Sequence, residues 1–400
     1  MAFRSVLTKL FILFFIFPIV ISCSNTNKII TETATVPTVT LDGKAVDQES
    51  GEPIAGGLIL LSGTTQQTQT DSEGGFTIKL PAGYYEVFVD HEDYRGGSEE
   101  VNLIRSNGAR QSVTLQAERI PSFLDRKENP SLNASLSQSK IDEHPQSKRL
   151  KTFIDYYITD DDLKCGLANP DDVTFAKGNE DGVTWVREPA ELVVLNYELG
   201  YKVRIALEEY VAKEYSQIIG QNVDADYFFE ELEPINEVQK REWKEKREEF
   251  FQGSFRHFLI AMASDKSPLS FGYRIFSGQA VTSTSAMAFS SSSVSDIEKE
   301  KGEIIIPSFE NENLLIRSEE EIRIEYIEKG VDDPDGIMGL QNYRHQTSWI
   351  SLNGWSAEFT RNGLLKAKDA VEIKGYWRYV PVCKMLPDDY LPVIEDKENS

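Results

Sequence analysis

The chain has 400 residues, of which 65 are acidic and 42 are basic, so its formal net charge at pH 7 is −23. That length is sufficient for two domains with substantial hydrophobic cores. The charge disfavours nucleic acid and anionic lipid headgroups as direct partners, because like charges repel. Its simplest consequence is solubility.

The N-terminus has the pattern of an export signal. Arg4 and Lys9 supply positive charge, and residues 10–21 are apolar. The apolar run is shorter than the ~20 residues that a membrane-spanning helix needs. A small residue, Ser22, stands directly before Cys23. The pattern predicts a signal peptide over residues 1–22.

The stretch Val20-Ile21-Ser22-Cys23 resembles the lipobox of bacterial lipoproteins. The resemblance implies cleavage before Cys23, a diacylglycerol on its thiol and a fatty acyl chain such as palmitate on its new amino group. Several chains on one residue anchor stably, because each buried CH₂ contributes ~0.8 kcal/mol. Ser24 resembles the outer-membrane class, so we expect a lipid-anchored, periplasm-facing protein. The alternatives are surface exposure, or a secretory signal with an incidental cysteine.

Residues 23–37 are rich in Thr and Asn and are predicted to be a flexible tether. Residues 38–117 contain short runs in which apolar and polar residues alternate, separated by turns with Gly and Pro. Such runs predict short strands, because successive side chains of a strand point to opposite faces. The number and spacing of the runs predict a small β-sandwich.

Three motifs of this segment resemble the carboxypeptidase regulatory-like domain. They are Gly51-Glu52-Pro53-Ile54, Thr70-Asp71-Ser72-Glu73-Gly74-Gly75-Phe76 and Leu80-Pro81-Ala82-Gly83-Tyr84-Tyr85. The resemblance implies a transthyretin-like sandwich that serves as an accessory domain. No catalytic residue is implied by it.

Residues 118–149 are polar and are predicted to link the sandwich to a larger domain at 150–395. Alternation predicts strands in that domain, which is therefore expected to be a β-rich α+β fold. The exception is Val238 to Met262, whose aromatic residues recur at helical spacing and predict one long amphipathic helix. We interpret its aromatic face as core rather than as a ligand site. The complete fold class predicted is mainly β, with two separately folding domains.

Several features near the C-terminus complete the prediction. Ser277 to Asp296 is rich in serine and is expected to be a long loop or a lid. Asn353-Gly354 and Asn362-Gly363 are hairpin signals. A final strand is predicted from the alternation of Val371, Ile373, Gly375, Trp377 and Tyr379.

The second domain resembles an uncharacterised region that follows the same sandwich in many Bacteroidetes proteins. The resemblance implies no chemistry. The matching segments are Leu199-Gly200-Tyr201-Lys202, Phe228-Phe229-Glu230-Glu231-Leu232, Gly253-Ser254-Phe255-Arg256-His257-Phe258-Leu259, Gly375-Tyr376-Trp377 and Met385-Leu386-Pro387-Asp388-Asp389-Tyr390.

A zinc carboxypeptidase needs His-x-x-Glu and a second histidine to hold its metal. None of the four histidines, His91, His144, His257 and His345, is followed by Glu at the third position. We therefore predict no metallocarboxypeptidase activity, no catalytic residues, no metal and no cofactor. Asp160-Asp161-Asp162 and Asp332-Asp333-Pro334-Asp335-Gly336 offer oxygen ligands for calcium, but they lack the spacing of a calcium loop, so ordinary turns are the preferred interpretation.

The two remaining cysteines, Cys165 and Cys383, are either paired or free, since an exported protein permits a disulfide but distance in sequence does not require one. Arg256 and His257 interrupt the aromatic helix. We interpret Arg256 as a buried side chain that satisfies carbonyl groups, with His257 on the wet edge, rather than as a polar site.

The function predicted from these observations is that of a non-catalytic outer-membrane lipoprotein, held in the membrane by lipid on Cys23. It would be an accessory or binding module for an envelope protein or a glycan. The alternative is an envelope enzyme that acts on glycan or peptide, with the sandwich as its accessory domain. Convergent polar groups in a deep pocket would favour the enzyme, and a flat apolar patch would favour the binding module.

Overall fold

The chain folds mainly into β-strands, as the computed structural model shows. No helix in the part of the chain described below has both the length and the apolarity to cross a membrane. The signal peptide, the tether with Cys23 and most of the serine-rich stretch lie outside that part. The structure describes residues 38–103, 110–119, 138–159, 164–177, 183–187, 192–215, 218–277, 297–308, 313–331, 340 and 343–391.

The first domain, here called the module, is a β-sandwich, which confirms the predicted fold. Two four-stranded sheets have the orders β4-β1-β8-β6 and β3-β2-β5-β7. Buried residues alternate with more accessible ones along β4 and β5, so each strand turns one face to the shared core. The strands are β1 (Thr38–Asp47), β2 (Leu58–Leu61), β3 (Gln67–Gln69), β4 (Gly75–Pro81), β5 (Tyr84–Asp90), β6 (Tyr94–Arg95), β7 (Ser98–Asn102) and β8 (Arg110–Arg119).

The Asp-Ser-Glu-Gly-Gly motif of the module builds the turn that leads into β4. The side chain of Asp71 accepts hydrogen bonds from the backbone N–H groups of Glu73 and Gly75. Gly74 has a φ of +75°, and a Cβ there would lie 2.5 Å from the carbonyl oxygen of Ala45. Glycine is therefore required at 74 both by the left-handed backbone and by the close approach of β1.

A six-stranded sheet forms the first half of the second domain. Its order is β10-β11-β13-β12-β9, and β14 pairs with β13. A long antiparallel hairpin of β13 and β14 dominates the sheet, and its base lies over the aromatic core around Phe153, Tyr157 and Tyr210. The strands are β9 (Cys165–Leu167), β10 (Thr174–Lys177), β11 (Val183–Arg187), β12 (Leu192–Asn196), β13 (Tyr201–Tyr215) and β14 (Ile218–Glu231).

Helical segments precede this sheet; the first falls within the predicted linker, and the second begins there and ends beyond it. They are α1 (Gln138–Glu143), α2 (Ser147–Phe153) and a π-helical turn (Ile154–Ile158). Leu150 and Phe153 are buried in the same core as the sheet. His144, between α1 and α2, is buried as well. Residues 138–149 of the predicted linker thus pack against the second domain, with Ile141 on its core, whereas Glu118 and Arg119 belong to β8 of the module. The domain boundaries themselves stay a prediction.

The predicted long helix is two helices, α3 (Glu237–Phe251) and α4 (Phe255–Ala263). The break is at Gly253, whose φ of +86° is incompatible with a continuing helix. Ser254 then starts α4 by accepting the N–H of His257. Lys329 donates to the carbonyls of Glu249 and Gln252 and so satisfies the end of α3. The prediction of a single helix was wrong because an aromatic repeat continues across a break that glycine and serine create.

The aromatic face of these helices is core, as predicted. The buried members are Trp243, Phe251, Phe258, Leu259 and Met262. Phe258, Leu259 and Met262 of α4 lie in the core of the last two sheets, whereas Phe250 of α3 packs against the core of the six-stranded sheet. Amphipathic periodicity identified the buried face correctly although it could not identify the break.

Two further sheets complete the second domain, with the orders β16-β15-β19-β20-β22 and β17-β18-β21. Both share one core with α4. The remaining elements are β15 (Tyr273–Ser277), β16 (Ile297–Glu298), α5 (Lys301–Ile304), β17 (Ile305–Pro307), β18 (Leu314–Arg317), β19 (Ile322–Gly330), β20 (His345–Leu352), β21 (Ser356–Phe359) and β22 (Val371–Gly375).

The last predicted strand is shorter than its alternation suggested. β22 ends at Gly375, which has a φ of +74°, and Tyr376–Tyr379 form a 3₁₀ turn. The turn carries Trp377, whose indole N–H donates to the carbonyl of Gly253 at 2.6 Å. The Asn353-Gly354 turn also departs from prediction, because β20 and β21 on either side of it belong to different sheets.

Candidate functional site: the junction between the two domains

The module contacts the second domain through the turn between β2 and β3, residues 62–66, here called the plug. The N–H of Gly63 donates to the carbonyl of Tyr227 at 2.7 Å, and the N–H of Phe229 donates to the carbonyl of Thr64 at 3.0 Å. The plug therefore adds two strand-like bonds to the outer edge of β14. An uncovered edge is prone to unwanted pairing, so this contact also protects the sheet.

A buried hydrogen bond between side chains also attaches the plug to β14. The hydroxyl of Ser62 donates to the carboxylate of Asp226 at 2.5 Å. Both residues are more than 90% buried, with relative exposures of 7% and 8%. A carboxylate removed from water needs such donors, because leaving it unpaired is costly. Through this bond Asp226 helps to attach the module to the second domain.

The C-terminal segment 385–390, here called the clasp, closes over the other side of the plug. The N–H of Asp388 donates to the carbonyl of Gly63 at 2.6 Å. The carboxylate of Asp389 accepts three hydrogen bonds, from the N–H of Thr65 at 3.1 Å, its hydroxyl at 2.6 Å and the side-chain amide of Gln66 at 2.8 Å. Hydrogen bonds to an ionised carboxylate are among the stronger ones in proteins.

Arg256 binds the backbone of the clasp. Its guanidinium donates to the carbonyls of Asn362, Pro387 and Tyr390 at 3.1, 3.2 and 2.6 Å. Burial lowers the pKa of Arg256, and the nearby carboxylates of Asp388 and Asp389 oppose that shift. Arg256 therefore satisfies carbonyl groups as interpreted, and its side chain is partly buried. Its Nη2 atom is buried without a hydrogen-bond partner in the described part of the chain.

The charge of this junction also affects the module's core. Burial raises the pKa of Tyr85, and the carboxylates of Asp388 and Asp389 raise it further, so the phenol stays protonated. Its hydroxyl donates to the carbonyl of Pro81 at 2.9 Å. Tyr85, which belongs to the motif Leu80-Pro81-Ala82-Gly83-Tyr84-Tyr85, is therefore a structural residue. Its phenol is protonated, and a general base must be able to accept a proton.

Two contacts at the rim widen the junction. Arg204 on β13 pairs with Asp90 at the end of β5, at 2.8 Å. Phe88 of the module meets Phe228 of β14 edge to face, with ring centroids 5.1 Å apart. A partly buried ion pair and an aromatic pair each contribute modestly to stability, and both connect the two domains.

His257 lies in an aromatic cluster beside the junction and is 5% exposed, so the interpretation that it occupies a wet edge was wrong. Its Nδ1 accepts the N–H of Gly253 at 3.2 Å and lies 2.9 Å from the hydroxyl of Tyr273. Phe251 and Tyr326 pack against its ring. The helix break turns this histidine inward, where it connects the end of α3 to β15 and stabilises the break.

Cys165 and Cys383 form a disulfide, with Cα atoms 5.9 Å apart. Sequence alone left this pairing open. Cys383 lies two residues before the start of the clasp, and its carbonyl accepts a hydrogen bond from the side-chain amide of Asn196 at 2.8 Å. The clasp is therefore attached to β9 and β12 at the point where it leaves the core.

The other residues singled out from the sequence are not brought together. Cys23 and both acidic clusters considered for calcium lie outside the described residues. His91 follows β5, His144 lies between α1 and α2, and His345 begins β20. Within the described ranges, no group of three or more His, Cys, Asp or Glu side chains is arranged to hold a metal ion.

The sandwich and its motifs agree with a known family. The model of the carboxypeptidase regulatory-like domain matches residues 40–116. These residues are a carboxypeptidase regulatory-like domain. The domain is a regulatory fold without a catalytic role. No curated protein matches the chain.

Solved structures give weaker likenesses. 3-Chlorocatechol 1,2-dioxygenase from Rhodococcus opacus is 15% identical over 21% of this chain and 61% of its own, with a TM-score of 0.18. A DUF3823 family protein from Parabacteroides merdae is 9% identical over 50% of this chain and 100% of its own, with a TM-score of 0.17. A protein from Bacteroides uniformis described as a putative carbohydrate binding protein is 10% identical over 49% of this chain and 80% of its own, at 0.17.

Proposed function

We propose that the protein is a non-catalytic lipoprotein of the outer membrane, anchored by lipid on Cys23 and facing the periplasm. Its two domains would act as one rigid body that binds a protein or a glycan of the envelope. The lipobox residues support the anchor, and the junction supports the rigid body.

One observation carries the non-catalytic part of this proposal. The carboxylates that meet at the junction are engaged in holding the plug and the clasp: buried Asp226 binds Ser62, and partly buried Asp389 binds Thr65. A catalytic carboxylate must instead be within reach of a substrate. Rigid docking of an accessory module serves a binder, because preorganisation lowers the entropic cost of association.

The test is affinity capture from detergent-solubilised membranes with the lipidated chain as bait. A captured partner or glycan fraction is then purified and titrated against the mature protein, and saturable binding without chemical change is expected. The matched control is the Cys23→Ser chain, which keeps both domains and loses only the anchor.

The same mixtures distinguish the enzyme alternative. New reducing ends or new peptide termini, formed in excess over protein, would overturn the binding-module proposal. Adding a chelator separates metal-dependent cleavage from other hydrolysis, because removing the metal abolishes only the former.

A further inference from the structure

Trp355 is a large apolar side chain on the surface of the second domain and is 67% exposed. It is also the only non-glycine residue with positive φ, +69°, among those that the structure describes. A bulky side chain is disfavoured in this left-handed conformation, which glycine or asparagine adopts more readily. The fold thus maintains a strained backbone in order to present an indole ring to solvent, which is typical of functional positions.

The turn that carries the ring is held on two sides. The N–H of Ser318 donates to the carbonyl of Trp355 at 3.2 Å. The N–H of Asn353 donates to the carbonyl of Ala370 at 2.9 Å, and its side-chain amide donates to the carbonyl of Asp369 at 2.5 Å. Three loops, residues 318–321, 353–355 and 367–370, therefore meet around a preorganised ring.

Apart from the small residues Gly354 and Ala367, the other residues of these loops that are described as exposed are polar. Glu319, Glu320, Asn353 and Asp369 are all exposed. The other large apolar side chains that are exposed in the described residues lie on other segments, Leu269 among them. The three loops thus combine one exposed aromatic ring with exposed carboxylate and amide groups.

This composition selects among the ligands that an exposed tryptophan can take. The centre of a protein interface is a cluster of apolar and aromatic side chains that exclude water together, and a single ring among carboxylates does not provide that. Insertion into a membrane surface is opposed by Glu319 and Glu320, because anionic lipids repel them. A sugar ring fits both parts of the surface: its CH face packs on the electron-rich face of the indole, and its hydroxyls donate to carboxylates.

We propose that Trp355 and the three loops around it form a carbohydrate-binding site for a neutral glycan. The indole supplies the stacking platform, and Glu319, Glu320 and Asp369 supply hydrogen-bond acceptors. The inference rests on the proposed function, of which it names the ligand class and the site.

The experiment titrates the mature protein with neutral oligosaccharides of glucose, xylose, mannose, galactose and N-acetylglucosamine by calorimetry. At least one of these sugars is expected to bind. Trp355→Asn removes the ring but suits the left-handed backbone, and it is expected to weaken that binding about tenfold or more. Trp355→Phe keeps a smaller ring and should retain part of the affinity. Leu269→Asn removes an exposed apolar side chain elsewhere and should leave affinity unchanged.

A stability measurement separates lost binding from lost folding. Because asparagine relieves the backbone strain, Trp355→Asn should melt at the same temperature as the wild type or higher. The inference is overturned if none of these sugars binds at millimolar concentration, or if Trp355→Asn binds as well as the wild type. A captured envelope protein that binds independently of Trp355, with no sugar bound, overturns this inference and leaves the proposed binding function intact.

Discussion

Thr65 and Asp389 lie 324 residues apart in sequence and make two hydrogen bonds, the hydroxyl and the N–H of Thr65 both donating to the carboxylate of Asp389. This pair connects the first domain to the last residues that the structure describes. Through it the module and the clasp hold each other in place.

Asp389→Asn should loosen the junction, because an amide offers one acceptor oxygen where the carboxylate offers two. We expect a loss of about 1–3 kcal/mol in the free energy of unfolding, measured with urea. Thr65→Val tests the pair, and the double variant should cost less than the sum of the two single ones. Asp369→Asn is the control, since Asp369 is exposed and away from the junction. Strict additivity of the two junction variants would show that the pair is not coupled.

Gly63→Ala should disrupt docking more than an ordinary loss of glycine. A Cβ at position 63 would lie 2.5 Å from Oδ2 of Asp388, and φ is +78°. Gly51→Ala is the matched control, because φ there is +70° and nothing lies within 4 Å of the added carbon. Backbone strain should lower the free energy of unfolding of both variants by about 1 kcal/mol. Only Gly63→Ala should also expose the junction to proteases, and equal protease sensitivity of the two would argue against the close contact.

The pair Cys165→Ser and Cys383→Ser should destabilise the second domain by about 2–5 kcal/mol, as loss of a native disulfide does. Denaturation of the wild type with and without a thiol reductant should show the same difference. Release of the clasp should follow, because Cys383 lies only two residues before it. Hydrogen exchange at the N–H of Asp388 reports this, and unchanged protection in the double variant would separate the clasp from the disulfide.

Gly253→Ala should destabilise the helix break. The added carbon would lie 2.6 Å from Cδ1 of Tyr326, at a φ of +86°. We expect a loss of about 2 kcal/mol or more in thermal unfolding, from strain combined with overpacking. Gly302→Ala, where nothing lies within 4 Å, is the control and should be neutral or slightly stabilising, since alanine favours helix. Equal melting temperatures would show that the break tolerates a side chain.

Cys23→Ser should release the protein from the membrane, because the lipid on Cys23 is the proposed anchor. Growth with a labelled fatty acid followed by fractionation measures this. The wild type should carry label and sediment with the outer membrane, while the variant should remain unlabelled. Label on the serine variant, or its retention in the outer membrane, would contradict the anchor.

Local patterns in the sequence determined the strands of the sandwich and the buried face of the aromatic helices. Alternation along β4 and β5 predicted the sandwich because side-chain orientation in a strand depends only on position. The aromatic spacing of Val238 to Met262 predicted a buried helical face for the same reason. It could not predict the break, because a left-handed backbone at Gly253 is a choice that glycine permits and the surrounding contacts decide.

Tertiary structure alone decided which distant groups meet. No pattern within the chain pairs Thr65 with Asp389 or Cys165 with Cys383, since both contacts depend on how whole sheets are stacked. The same holds for Trp355, which the sequence places in an ordinary turn signal. Its exposure and its positive φ follow from neighbouring loops that reach it only in the folded chain. Short-range periodicity is a property of the backbone, whereas a site is formed by the packing of segments that are distant in sequence.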